Sequence, residues 1–186
     1  DSLPAAMRRT FLDRAVESGR GVPGLLKTRT LTEAAGELAR HGRHEKAVAV
    51  LEEVESLALQ VPDGADPKPP VLCNLARAWA EIGEEKRART VLPHIHEAIR
   101  DERVLKTDRP GFIANQASLH MAMGDEKKAR SLYDAALGQA AELVNARPRA
   151  LAVVRVCTFM GRYGFTPDDK IAKRLEELFA GLGAPW

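Results

Sequence analysis

Apolar residues along the chain recur at helical spacing. Leu31, Ala34, Ala35 and Leu38 stand at i, i+3, i+4 and i+7, one face of an α-helix. Leu72, Leu75, Ala76 and Trp79 repeat that face, and Ile113, Gln116, Ala117 and His120 repeat it with two polar members. A glycine follows each time, at Gly42, Gly83 and Gly124, at intervals of 41. Glycine tolerates the left-handed backbone that ends a helix. A second apolar pattern then starts, as in Ala47, Val50, Leu51 and Val54. Ala47, Ala88 and Ala129 come five residues after each glycine, and Leu51, Leu92 and Tyr133 four residues later. The stretches AAGELARHGRHEKAVAVL (34–51), LARAWAEIGEEKRARTVL (75–92) and QASLHMAMGDEKKARSLY (116–133) therefore align without gaps. Each predicts an αα-hairpin, closely approached at its alanines, that buries its apolar face only by stacking on a neighbour.

The flanks extend this pattern less regularly. Val153, Val156, Cys157 and Met160 predict a fourth first helix, and GRYG its turn, with Gly161 and Gly164 as alternative closing residues. TPDDKIAKRLEELFAGL predicts a last helix with Thr166 as N-cap and Pro167 at its first position, running to about Gly181. SLPAAMRRTFLDRAVESGRG predicts an N-terminal helix facing inward with Met7, Phe11 and Ala15 or Val16. It is a cap, or the second helix of a repeat cut away. Segments 61–70, 108–111 and 145–149, with Pro or Gly in each, read as linkers too short to separate domains. Pro93 is expected to kink the second helix of the second repeat. The fold expected is all-α, a right-handed αα-hairpin solenoid of about four hairpins plus an N-terminal helix. It forms one domain over 1–186, divided at 1–24, 25–67, 68–109, 110–147 and 148–186.

Composition narrows the function. The chain has 186 residues, 45% hydrophobic and 29% charged, as in an ordinary globular protein. Its 28 basic and 26 acidic residues leave a net charge of +2, against the basic excess expected of a nucleic-acid binder. The run EEKRAR (84–89) reads accordingly as the first turn and outer face of a second helix, its two acids suited to the helix N-terminus. No apolar run approaches the roughly 20 residues of a membrane-spanning helix. Cys73 and Cys157 fall within helical apolar patterns, without C-x-x-C spacing, and read as buried thiols that act as small hydrophobes. Unpaired cysteines favour the cytoplasm. Position 1 is Asp, so the chain reads as processed or truncated, and a removed export signal stays open as the alternative.

Catalytic and metal signatures are missing. His94 and His96 in HIHE lie two apart and point to different sides of a helix, so they do not grip one ion. His41 and His44 flank Gly42 without a further ligand, and His120 occupies a core column. There is no phosphate-cradling glycine loop and no nucleophile elbow. Asp168 and Asp169 are accounted for by the first turn of a helix. The expectation is a protein that is not an enzyme and uses no cofactor or metal.

The columns Ala35/Ala76/Ala117, Gly42/Gly83/Gly124, Ala47/Ala88/Ala129 and Leu51/Leu92/Tyr133 resemble the tetratricopeptide repeat over roughly residues 25 to 182. The period is 41 in place of 34, the Trp usual early in the first helix is Leu31, Leu72 or Ile113, and the closing Pro is missing. The chain looks like the long-repeat bacterial variants of that family. The resemblance implies a non-catalytic scaffold for protein–protein interaction, whose first helices line a concave groove for a partner's peptide or helix. Carried over column by column, groove positions are Glu33, Asn74, Asn115 and Arg155, and Gly36, Arg77, Ser118 and Thr158. The expected partner-binding residues are Asn74, Arg77, Asn115, Ser118 and Arg155. If Gly161 made the fourth turn, Ala152 would replace Arg155. Asn115 followed by Arg155 resembles part of a clamp with which some relatives hold a carboxylate. Cys73 and Leu151 occupy other basic positions of that clamp, so it is incomplete. The implied partner is a protein or peptide with an acidic or C-terminal carboxylate segment. The alternatives are self-association as a homodimer through Leu178, Phe179, Leu182 and Trp186 at the C-terminal apolar end, or ligand sensing within a longer protein.

Overall fold

The first helix of each repeat ends in the same hydrogen-bonded turn. Gly42, Gly83, Gly124 and Gly164 have φ of 74°, 88°, 75° and 66°. The N–H of the next residue donates to the carbonyl five positions back: Arg43 to Leu38 at 2.9 Å, Glu84 to Trp79 at 2.8 Å, Asp125 to His120 at 2.8 Å and Phe165 to Met160 at 2.9 Å. Each glycine N–H donates to the carbonyl three positions back, at 2.9, 3.0, 3.0 and 3.4 Å. This is the paired arrangement that satisfies the last carbonyls of a helix. A side chain with a Cβ in the left-handed region costs about 1–2 kcal/mol, which explains glycine at each point. The fourth turn closes at Gly164, and Gly161 lies inside the preceding helix.

The protein is described by a computed structural model over residues 4–65 and 67–182, and the regular elements among those residues are all α-helices. They are α1 (Ala5–Gly21), α2 (Leu25–Arg40), α3 (His44–Leu59), α4 (Lys68–Glu81), α5 (Glu85–Arg100), α6 (Arg109–Ala122), α7 (Glu126–Ala141), α8 (Ala146–Arg162) and α9 (Asp169–Ala180). Sequence periodicity predicts one domain over 1–186; the described residues group into two compact units, the first ending at His94 and the second beginning at Ile95. The division falls inside α5, between His94 and Ile95. α5 continues through Pro93 as one helix.

In the first unit α2 packs on α1, α3 and α4, and α3 packs on α4. Leu31, Leu38, Leu51, Leu72, Leu75 and Trp79 are fully buried there, with Ala35, Ala47 and Ala76 between them. α1 presents a different face from the one expected. Val16 is buried, but Met7 and Phe11 are 54% and 53% exposed. Gly19 is buried too, and an added Cβ there would lie 3.0 Å from Leu31 Cδ2. α1 approaches α2 along the face that carries Val16 and Gly19. The run EEKRAR lies at the start of α5, but Arg87 is not simply solvated. Its guanidinium sits 4.8 Å from the centre of the Trp79 ring and pairs with Glu52 at 2.8 Å.

In the second unit α6 packs on α7 and α8, and α7 packs on α8 and α9. Tyr133 and Phe165 stack with ring centres 4.6 Å apart. The last helix starts later than predicted. Its N-cap is Asp168, not Thr166, and the Asp168 carboxylate accepts from the Ile171 N–H at 2.9 Å. That N–H, and then Arg130 at 2.9 Å, hold the Asp168 carboxyl below the usual carboxylate range. Four of the six prolines placed in linkers by sequence sit instead in first helical turns: Pro69 and Pro70 in α4, Pro110 in α6 and Pro148 in α8. A first turn has no intrahelical partner for the N–H that proline lacks. At the C-terminal end Leu178 is buried, Phe179 is exposed and Leu182 half-buried; Trp186 lies outside the described residues.

Small residues hold the second helices against the first. Ala47, Ala88 and Ala129 are each 0% exposed. In α5 Val91 takes the buried place and Leu92 is half-buried. Ala88→Leu should therefore overpack its site and cost about 1–3 kcal/mol, read as a lower urea midpoint with unchanged slope. A midpoint equal to the parent's would contradict this register of α5.

Candidate functional site

α2 and α4 lie side by side in the first unit, and a pocket of about 350 Å³ opens on them. This is near the lower end of the size range of ligand pockets, about 300–1,000 Å³. α2 contributes Arg29, Thr32 and Glu33; α4 contributes Asn74, Arg77, Ala78 and Glu81. The α4 residues stand at i, i+3, i+4 and i+7, so they form one stripe. The next residues round the helix, Leu72, Cys73, Leu75 and Ala76, turn into the core and fix that stripe outward.

The lining balances two guanidinium groups against two carboxylates. Arg29 Nε donates to Glu33 Oε1 at 3.0 Å, an i,i+4 pair in which both side chains are mostly exposed. Such a pair contributes only about 0.3–0.5 kcal/mol and exchanges readily for another partner. Thr32 spends its hydroxyl on the Thr28 carbonyl at 2.7 Å, so it is not poised as a nucleophile. Asn74 is exposed, Arg77 half-buried, and Ala78 supplies a buried apolar floor. Behind this wall lies Cys73, fully buried. Burial pushes its thiol up to about 12, with the Arg77 charge working weakly in the opposite direction. The pocket is equipped to hold charged and amide groups.

Of the five residues expected to bind a partner, Asn74 and Arg77 line this pocket, together with Glu33 from the same column. The other three belong to the second unit. Asn115 is 6% exposed and Ser118 0% exposed, and the Ser118 hydroxyl donates to the Asn115 carbonyl at 2.7 Å. Both are withdrawn from solvent, unlike Asn74 and Arg77 of the same columns. The first turn of α6 carries Gly111, where an added Cβ would meet Arg155 Cδ at 3.3 Å. α8 comes down on α6 there. Arg155 is exposed, and its Nη1 donates to Asp108 Oδ1 at 2.7 Å. Sequence reasoning missed Arg29, Thr32, Ala78 and Glu81. Arg29 stands four residues before Glu33 and Glu81 four after Arg77, a spacing that marks both as neighbours on the same faces.

The histidines do not assemble a metal centre. Among the described residues no group of three or more His, Cys, Asp or Glu is placed to hold an ion. His44 Nε2 lies 3.0 Å from Glu84 Oε1, and the buried His120 has Nδ1 3.3 Å from Asp125 Oδ2. No helix of the described residues is long and apolar enough to cross a membrane.

No protein-family model and no curated protein matches the chain. Among solved structures it is similar to the crystal structure of Ton1535 from Thermococcus onnurineus NA1, with a TM-score of 0.76 at 15% sequence identity. The likeness covers 95% of this chain and 51% of that one, so this chain spans about half its length. At that identity the likeness establishes the fold alone: an all-helical, repeat-like architecture.

The Cys73 environment generates a prediction. Near neutral pH a thiol reagent should label the half-buried Cys157 in the native protein and Cys73 only as urea unfolds it. Mass spectrometry of the labelled peptides checks this. Equal labelling rates would contradict the packing of α4 behind the pocket.

Proposed function

We propose that the chain is a non-catalytic protein-interaction scaffold of the tetratricopeptide type, a right-handed stack of about four hairpins. Its α2/α4 pocket receives an extended or helical segment of a partner. The observation that carries this reading is the pocket itself, in which Glu33, Asn74 and Arg77 come together from two successive first helices. The family resemblance places those three residues in its groove columns. Arg77 meets a carboxylate of the segment, on a side chain or at its C-terminus, and the Asn74 amide holds the segment's backbone. The exposed Arg29–Glu33 pair opens to admit charges of either sign on the flanking residues.

Selecting binders from a displayed peptide library against the whole chain tests this. Peptides so found should carry a carboxylate, and Arg77→Ala should weaken them at least tenfold in calorimetric titration while the helical circular dichroism stays unchanged. Losing one partner of a desolvated charge pair typically costs about 2–5 kcal/mol. The affinity should fall as salt rises. Selected peptides that bind Arg77→Ala as tightly as the parent would refute the pocket as the binding surface.

Self-association is the second reading, favoured by Phe179, 53% exposed near the end of α9. A solution molar mass of twice the chain, reduced to one by Phe179→Ser, supports it; a monomer at high concentration removes it.

A further inference from the structure

α1 is held to the first unit by little apolar surface. Among its described side chains Val16 is the one apolar group fully buried, and Gly19 lies beside it on the same face. Leu12 is half-buried, and Met7 and Phe11 face solvent. α3, a helix of similar length in the same unit, buries Ala47, Val50, Leu51, Val54 and Ala58. Most of a protein helix's stability comes from packing its apolar face, and an isolated helix of this length is marginal in water. α1 therefore depends on its other ties.

Those ties are charges that reach α3 and the turn before it. The Asp13 carboxylate pairs with Arg43 Nη1 at 2.8 Å and with Lys46 Nζ. Arg20 Nε donates to Glu53 Oε2 at 2.9 Å. Arg43 also donates to the Arg9 carbonyl at 3.4 Å. The Arg43 N–H closes the Gly42 turn onto Leu38, so the latch grips a fixed point of the fold. The side chains of Asp13, Lys46 and Arg20 are 39%, 39% and 41% exposed, within reach of dissolved salt. Exposed pairs of this kind are individually weak, and salt weakens them further. Arg20 has a second partner on its own helix, Glu17 at 2.6 Å, which does not depend on α3. The link from α1 to α2 is short and non-helical, with Val22 extended and Gly24 at φ 63°.

α1 also backs the wall of the pocket. A Cβ added at Gly19 would lie 3.0 Å from Leu31 Cδ2 and 3.2 Å from Thr30 Cγ2. Thr30 and Leu31 stand between Arg29 and Thr32, two residues that line the pocket. The turn of α2 that meets α1 on one side therefore faces the pocket on the other.

We propose that α1 is a releasable brace on the α2 wall, docked through the charges of Asp13 and Arg20 and let go as salt screens them. Once released, α1 unwinds and Leu31 loses its cover. The turn that carries Arg29, Thr32 and Glu33 then loosens by local opening, with the rest of the fold intact. Docking and pocket occupancy are coupled in both directions: a segment bound in the pocket favours docked α1, and docked α1 favours the segment. That coupling rests on the pocket as the binding surface; the release does not.

Hydrogen exchange of the full chain, read by mass spectrometry with no peptide added, tests the proposal. It compares about 0.1 and 1 M sodium chloride, between which the screening length falls from about 10 to about 3 Å. Amides of α1 should exchange at least tenfold faster at the higher salt, and amides 30–33 should follow, while the interior of α7 stays unchanged. Asp13→Asn combined with Arg20→Gln should give fast exchange of α1 at both salts. Exchange of α1 that ignores salt in the parent would overturn the proposal, as would exchange already at the unstructured rate at low salt. A double variant that keeps the parent's slow exchange, or that frees α1 with amides 30–33 unchanged, would overturn it equally. A pocket that binds no peptide would leave these outcomes standing, and a salt-independent α1 would leave the Arg77→Ala titration standing.

Discussion

A glycine held at positive φ lets the following N–H reach back five residues, and α2, α4, α6 and α8 each end in this way. The bond reverses the chain within a few residues and satisfies the carbonyls that a helix end would strand. It also fixes the rotational setting of the helix that follows. With α3 set by Gly42 and α7 by Gly124, the alanines five residues on face their partners at full burial. A larger residue there, or a non-glycine at the turn, would move a whole helix and not one side chain. The pocket of the first unit inherits this precision, because α2 and α4 are both terminated by such a turn.

Close backbone approach has a second consequence, seen where glycine lies within a helix. Gly19 admits Leu31 on the face of α1 that also buries Val16. Gly111 admits the stem of Arg155 and so brings α8 onto the first turn of α6. Asn115 and Ser118, one turn and two turns further along α6, are withdrawn from water, whereas Asn74 and Arg77 of the same columns line an open pocket. Repeats alike in sequence register thus differ in what they offer a partner. The unit that keeps its column open carries a charge-balanced pocket.

Much of this was legible in the residues. The helices, the glycine turns at Gly42, Gly83 and Gly124 and the alanine column follow from spacing alone, since periodicity reports directly which side of a helix faces the core. Asn74 and Arg77, from two of the groove columns, line the pocket of the first unit. What periodicity misses depends on contacts distant in sequence. Thr166, Asp168 and Asp169 are all plausible caps, and Asp168 prevails with support from Arg130, a residue of α7. Gly161 and Gly164 are equally suited to a turn until the Phe165 N–H is seen to reach Met160. The burial of Asn115 depends on how elements pack over α6, which no column of its own sequence records. Met7 and Phe11 mislead because an apolar pair at helical spacing does not say whether anything covers it.

The architecture rests on the four turns, and amide hydrogen exchange measures them directly. The N–H groups of Arg43, Glu84, Asp125 and Phe165 each lie just outside a helix, where an unbonded amide exchanges at the rate of an unstructured chain. Closure of each turn onto Leu38, Trp79, His120 and Met160 predicts slow exchange at these amides, comparable to the helix interiors beside them. Exchange at the unstructured rate for Arg43 and Glu84 would contradict the account, since the helices that carry the pocket would then lack the turns that set their register.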